Sequence, residues 1–382
     1  MADEISVLIV DDSALMRNLI GKMVDATPGL VIAEKAMNGY FALQKIPRVE
    51  PDVICLDLEM PEMNGIEFLR ERKKQGIEIP VIILSSIAEK GAAITMEALS
   101  LGASDFIQKP SGSISEDIHT VADHLTSLLI AYGGQYRRIK GKKVQTPDEY
   151  VKKTAPDEGK KPAVSTTFGL FGGPAKAEPV AAPKPVRTPG NTEIIAIGIS
   201  TGGPDALRVV FSQLDPDLKQ PILVVQHMPP GFTMEFAKSL DRICPLNVKE
   251  AAEGDVVTPG WAYIAQGNKH LEVERKGGTS VLHLTDSPLV SGHRPSADVL
   301  FASVAMAYTN HVLAVIMTGM GRDGAQQLGT VFKEGGLTLG QDEKTAIVYG
   351  MPRVAYELGH VMEQVPLERM ADRICTIAKT TR

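Results

Sequence analysis

The chain has few of the features that would settle its class at a glance. Its 382 residues include only three cysteines, Cys55, Cys244 and Cys375, odd in number and far apart. They offer no disulfide framework and no zinc-ligand spacing, so a reducing cytoplasm is the expected compartment. Basic residues are not in excess: 40 Lys and Arg stand against 46 Asp and Glu, a formal net charge of -6. Nucleic-acid binding needs a positive footprint and is not expected. No apolar run approaches the length of a membrane span. The start, MADEISVLIVDDS, is acidic, and its apolar run is far too short for a signal peptide. What is present is an ordinary globular composition, 43% hydrophobic and 23% charged, with length for roughly two or three domains.

In the first third, short apolar runs alternate with helical patterns. Strands are expected at Ile5–Val10, Val31–Ala36, Asp52–Leu56, Pro80–Leu84 and Phe106–Ile107. Between them, Ala14–Val24, Gly39–Ile46, Gly65–Lys74 and Ala88–Leu101 read as helices. This alternation predicts a parallel sheet covered on both faces. Polar residues fall where the first, third, fourth and fifth strands end: Asp11-Asp12, Asp57, Ser85-Ser86 and Lys109-Pro110. That edge is where open α/β sheets bind ligands. Carboxylates gathered there repel one another unless a divalent cation lies between them, and oxygen-only ligands favour magnesium. A carboxylate, a hard cation, a lysine and a hydroxyl together suit phosphoryl transfer onto an oxygen nucleophile.

These residues resemble the two-component receiver family over about residues 4–130. The resemblance implies a flavodoxin-like, five-stranded parallel sheet with Asp57 as phospho-acceptor. It implies magnesium held by Asp11, Asp12, Asp57 and the backbone carbonyl of Glu59. Ser85, Lys109 and the aromatic Phe106 take the switch positions. The receiver is expected to span residues 1–131.

From Tyr132 to about Gly190 the composition turns to Pro, Ala, Lys and Gly without a sustained period. Such a segment cannot bury enough apolar surface to offset its ordering entropy, which predicts a flexible linker over 132–190. Within it, Tyr132–Lys143 is a candidate extension of the last receiver helix. Phe168-Gly169-Leu170-Phe171 is a small apolar cluster able to dock transiently.

The remainder, 191–382, carries a second set of strand ends. The run Ile194–Ile197 leads into Gly198-Ile199-Ser200-Thr201-Gly202, a G-x-S-x-G pattern, and then into a helix-like stretch. A serine on a strand–turn–helix junction stands at the carboxyl edge of a sheet, beside the free N–H groups of the helix start. The same junction also holds phosphates, and it can simply cap a helix. Pro221–Gln226 is a second strand and ends in His227, while Val312–Met317 is a third and leads into Thr318-Gly319-Met320-Gly321-Arg322-Asp323. A weak nucleophile, a base that titrates near neutrality and a carboxylate to orient that base form a coherent set. Asp205 and Asp298 are rival acids. Asp323 is preferred because it sits in a Gly-rich turn at a strand end. The order Ser…His…Asp differs from the α/β-hydrolase order, so that fold is not expected. Backbone N–H groups of Met320 and Thr201 are candidate oxyanion donors. Ser291–Asp298 reads as a polar loop before a helix, with Ser296 as N-cap and His293 and Arg294 able to line a pocket for an acidic substrate. Tyr263–Ala265, Leu271–Glu274 and Val281–Leu284 alternate weakly, like antiparallel hairpin strands. Leu337–Gly340 is a further strand, and Thr345–Gly359 looks helical with an interruption at Pro352. The expected fold of this part is a doubly wound, mostly parallel α/β domain with a small antiparallel hairpin region.

GISTGGP, QHMPP and MTGMGRDGA, behind a receiver and a linker, resemble the chemotaxis response regulator protein-glutamate methylesterase family. The resemblance implies Ser200, His227 and Asp323 as the triad and Met320 as an oxyanion donor, with no cofactor in the catalytic domain. It implies hydrolysis of glutamate γ-methyl esters on chemoreceptor cytoplasmic domains, and deamidation of receptor glutamines. A chemotaxis histidine kinase is the implied phosphodonor, and the membrane is approached only through receptors. The competing expectation is a non-enzymatic response regulator whose second domain binds a nucleotide or a partner protein at the Gly-rich turn.

Overall fold

A computed structural model describes residues 3–85, 89–109, 116–143 and 184–380. Most of the expected linker, with its Phe168–Phe171 cluster, lies outside the described residues, as do Ser86 and Pro110. The chain divides into two compact units, Met1–Lys176 and Ala177–Arg382. Among the described residues no helix is long and apolar enough to cross a membrane.

The first unit alternates strand and helix: β1 (Ile5–Val10), α1 (Ala14–Asp25), β2 (Leu30–Ala36), α2 (Gly39–Val49), β3 (Val53–Asp57), α3 (Gly65–Lys74), β4 (Val81–Ser85), α4 (Glu89–Ser100), β5 (Asp105–Gln108) and α5 (Glu116–Ile139). The strands form one parallel sheet in the order β2-β1-β3-β4-β5. β3 and β4 are wholly buried, which explains their unbroken apolar sequences: a central parallel strand has no solvent face.

α5 runs through the boundary expected at 131 and on to Ile139, so the candidate extension over Tyr132–Lys143 is helical as far as Ile139. The physical reason is a buried ion pair at the amino edge of the sheet. Arg137 Nη1 lies 2.8 Å from Asp52 Oδ2 and donates to the Glu4 carbonyl at 2.7 Å, while its Nε donates to the Lys143 carbonyl at 2.8 Å. Ser6 donates to the same Asp52 oxygen from its backbone at 3.0 Å and its hydroxyl at 2.8 Å. Burial pushes the Asp52 carboxyl up, but the Ser6 donors and the Arg137 guanidinium outweigh it and hold the group below its usual range. A folded-state pKa below the unfolded one stabilises at pH above the ordinary carboxyl range and ceases to do so as the pH falls through it. Arg137→Met leaves the buried carboxylate only the half-exposed Lys142 ammonium, at 3.3 Å, as an ion partner and is expected to cost the first unit about 3 kcal/mol near neutral pH. Thermal or urea melts of the full chain check this, and the gap from wild type should narrow in acid as Asp52 protonates.

The second unit holds a seven-stranded parallel sheet in the order β14-β13-β12-β6-β7-β9-β8 and a two-stranded antiparallel ribbon, β10-β11. Its strands are β6 (Ile194–Ile199), β7 (Ile222–Gln226), β8 (Asn247–Glu250), β9 (Trp261–Ile264), β10 (His270–Lys276), β11 (Thr279–Thr285), β12 (Val312–Ile316), β13 (Leu337–Gln341) and β14 (Glu363–Val365). Helices α6 (Gly203–Phe211), α7 (Phe232–Asp241), α8 (Ala297–Tyr308), α9 (Ala325–Lys333), α10 (Met351–Glu357) and α11 (Leu367–Lys379) complete it. Only two of the three weakly alternating segments form the antiparallel ribbon. The stretch around Tyr263 pairs parallel with both β7 and β8. The helix expected over Thr345–Gly359 is confined to Met351–Glu357, because Pro352 stands in its first turn, where a missing N–H and a fixed φ start a helix.

From β6 the chain builds outward through β7 in one direction and later returns to β12 on the other side of β6. The strand order therefore reverses at β6, and loops leaving the carboxyl ends of β6, β7 and β12 emerge side by side. Doubly wound sheets open a crevice at such a reversal.

Candidate active site

β6 is buried along its whole length and hands the chain to Ser200, which is partly exposed. Gly202, at φ +77°, makes the left-handed turn that starts α6 without a side-chain cap. Ser200 is pinned from three sides. Its N–H donates to the Thr318 carbonyl at 3.0 Å, its carbonyl accepts from Gly203 N–H at 2.8 Å, and it also accepts from Gln226 Nε2 at 2.9 Å. The loop after β12 presses against it: a Cβ on Gly319 would stand 2.8 Å from the Ser200 Cβ and 2.3 Å from Met351 Sδ, so only glycine fits there. Thr318, fully buried, donates from Oγ1 to the Thr201 carbonyl at 2.9 Å and ties the two loops together.

His227 follows β7 directly. Its Nδ1 lies 3.0 Å from Ser200 Oγ and its Nε2 lies 2.8 Å from Asp323 Oδ2. An ionised carboxylate only accepts, so Nε2 carries the proton and Nδ1 is left to accept from the serine hydroxyl. Asp323 is almost fully buried and accepts from other donors besides His227: Ser296 Oγ at 2.6 Å, Ala297 N–H at 2.6 Å and Asp298 N–H at 3.3 Å. Burial pushes its carboxyl up; the hydrogen bond and charge of His227, with Ser296 and Ala297, outweigh it and hold the group below the usual range. The rival acids are elsewhere. Asp205 is exposed in the first turn of α6. Asp298 accepts from Gln327 N–H at 3.0 Å, and burial pushes its carboxyl up. The N–H groups of Thr201, which follows Ser200, and of Met320, which follows the Gly319 packed against Ser200, are taken by no hydrogen bond of the described residues.

Ser296 caps α8 as expected, accepting from Asp298 N–H at 3.2 Å, and it also anchors the acid. The Arg294 guanidinium is committed to Asn268 Oδ1 and to the Asp286 and Ser287 carbonyls. Gln226, Thr318 and Ser296 are supporting residues the motif reading missed as such. The signal available for Gln226 was its polarity at the last, buried position of an apolar strand.

In the first unit, Asp11, Asp12 and Asp57 place carboxylate oxygens within 4.8 Å of one another. Lys109 Nζ lies 2.7 Å from Asp57 and 3.2 Å from Asp11. Burial pushes the Asp57 carboxyl up, and Lys109 only partly counters it. Lys109 itself is depressed by burial but raised on balance by its carboxylate partners. Glu59 N–H donates to Asp57 Oδ1 at 3.2 Å. Ser85 is buried and hydrogen-bonds Thr95 at 2.7 Å; Thr95 donates to the Gly91 carbonyl, so Ser85 is the donor. Phe106 is buried. One ammonium against three carboxylates leaves the cluster net negative, and the buried Asp11 Oδ2 has only the shared Lys109 ammonium, at 3.2 Å, as its partner among the described residues, so an all-oxygen set fits a hard divalent cation.

Comparison with known proteins finds relatives of both units. Residues 195–374 match a family described as CheB methylesterase, and residues 7–121 match the response regulator receiver domain. A Treponema denticola protein named protein-glutamate methylesterase/protein-glutamine glutaminase is 59% identical over 97% of this chain and 98% of its own length. The Treponema pallidum protein of the same name is 51% identical over 97% and 96%. A similarly named Koribacter versatilis protein is 44% identical over 96% and 94%. With similarity of this extent across both units, the chain belongs to the CheB methylesterase family and carries that family's receiver domain.

Proposed function

We propose that the chain is a phosphorylation-controlled serine hydrolase that removes methyl groups from glutamate γ-methyl esters of chemoreceptors during chemotactic adaptation, and that it deamidates receptor glutamines by the same route. The observation that carries this reading is the unbroken hydrogen-bond chain Ser200–His227–Asp323. A phosphate-binding turn has no use for a histidine on the serine hydroxyl. Ser200 Oγ attacks the ester carbonyl as Nδ1 of His227 takes its proton, and Asp323 stabilises the imidazolium through Nε2–H. Met320 and Thr201 N–H groups receive the oxyanion. His227 then gives its proton to the departing methanol. Water, deprotonated by His227, cleaves the acyl-serine to glutamate, and the serine oxygen recovers its proton. With a glutamine side chain, ammonia leaves in place of methanol.

Control enters at Asp57, the phospho-acceptor, supplied by a histidine kinase or a small phosphodonor. Asp11, Asp12, Asp57 and the Glu59 carbonyl would hold magnesium, which when bound offsets charge on a phosphoryl group. Lys109 pairs with the acceptor, and Ser85 and Phe106 change environment after transfer. The stretch between the units acts as a tether. The decisive measurement is methanol release from a methylated receptor cytoplasmic fragment, with and without acetyl phosphate. Release that rises with the phosphodonor is expected; none under either condition would overturn the reading. Asp57→Asn should reduce phosphoryl uptake to background and remove the stimulation, while basal methanol release stays within about twofold of wild type, since the substitution does not touch the hydrolytic residues.

A further inference from the structure

Two edge contacts hold the His227 ring, one to Ser200 and one to Asp323, and a third covers its face. The ring of His293 stacks on it, with centroids 3.8 Å apart and planes inclined by 13°. The two hydrogen bonds fix the nitrogens only through soft angular preferences and leave one easy motion, rotation of the imidazole about its Cβ–Cγ bond. That rotation swings the in-plane lone pair of Nδ1 off the hydroxyl. A flat ring against the face opposes it.

His293 is delivered by a clamped strap. Arg294 donates from Nη1 to the Asp286 carbonyl at 2.8 Å and to the Ser287 carbonyl at 3.0 Å. His270, fully buried on β10, makes a 3.1 Å bond from Nε2 to the Pro288 carbonyl. Val290 and His293 exchange backbone hydrogen bonds of 3.1 and 2.9 Å. Just beyond, Ser296 and Ala297 fasten the chain to Asp323. The strap therefore ends on the same carboxylate that orients His227.

We propose that His293 is a positioning residue of the hydrolytic site, which acts through the flat face of its ring to hold His227 in the plane that serves both Ser200 and the leaving group. Its nitrogens take no part in proton transfer, because in a parallel stack the N–H and lone-pair directions of the two rings run alongside each other. The proposal rests on the reading of Ser200 as nucleophile.

The test uses the full chain with p-nitrophenyl acetate as substrate and a fluorophosphonate as serine label. His293→Leu keeps bulk without a flat polarised face, and His293→Phe keeps the flat face without nitrogens. The leucine variant is expected to lose about tenfold in kcat with KM within about twofold, and the phenylalanine variant to recover to within about threefold of wild type. Equal impairment of both variants would overturn the proposal by showing that the nitrogens matter. A raised KM with kcat unchanged would overturn it in favour of a substrate contact. Thermal melts separate lost fold from lost geometry, and should the leucine variant unfold, His293→Ala repeats the comparison with phenylalanine. A wild-type chain that takes up no label at Ser200 would sink the hydrolase reading itself, whereas wild-type labelling beside an unimpaired leucine variant sinks only the role of His293.

Discussion

Ser200→Ala is expected to lower kcat for methanol release by about 10⁴-fold or more, with the protein still folded. The size follows from what the substitution removes. Ser200 Oγ is the atom that Nδ1 of His227 meets at 3.0 Å, so without it the histidine has no proton to take and the carbonyl no attacking atom. Residual rate comes only from substrate binding and the oxyanion donors. Structural cost is small because the backbone ties of residue 200 to Thr318, Gly203 and Gln226 do not involve the hydroxyl. The Cβ that packs beside Gly319 is also kept. Stability should change by about 0.5 kcal/mol or less. Phosphoryl uptake at Asp57 belongs to the other unit and should be unaffected. A variant that still released methanol near the wild-type rate would require a different nucleophile.

The meeting of Ser200, His227 and Asp323 could be read from sequence because each of them follows a run that can only be a buried parallel strand. Ile194–Ile199, Ile222–Gln226 and Val312–Ile316 are apolar enough to lack a solvent face, and neighbouring strands deliver their loops to one edge. The receiver residues were legible for the same reason. What stayed hidden was decided by tertiary contact. β8 (NVKE) and β14 (EQV) are short and polar and exist as strands only because the sheet edges accept them. The buried pairing of Arg137 with Asp52, which lies far upstream in sequence, is announced by no local pattern. His270 carries no mark of its burial, and His293 none of its stack on His227, since both come from how the 286–294 strap folds back. Arg294 looked like an anion ligand because its charge is visible in sequence, while the carbonyls that occupy it are not.

Asp323→Asn is expected to cost about 10⁴-fold in kcat, close to loss of the nucleophile, although it exchanges one oxygen for a nitrogen of nearly the same size. The carboxylate accepts on both oxygens: Oδ2 faces His227 Nε2–H and Ala297 N–H, while Oδ1 faces the Ser296 hydroxyl and Asp298 N–H. An amide has one acceptor and one donor end. With its oxygen towards His227, the NH₂ meets the Asp298 N–H. With the NH₂ towards His227, Nε2 must become the acceptor, the proton moves to Nδ1, and Nδ1–H then points at Ser200, leaving no base for the hydroxyl. Either orientation leaves a buried donor facing a donor, at about 1–3 kcal/mol. The variant should therefore be less stable near neutral pH, and the difference from wild type should shrink in acid, where Asp323 becomes protonated and loses the advantage of its depressed pKa. The double variant Ser200→Ala, Asp323→Asn separates this account from a merely structural one. If Asp323 acts only through His227 on Ser200, adding the second substitution costs almost nothing further in kcat; a second full loss of about 10⁴-fold would mean that Asp323 serves catalysis by a route that bypasses the serine.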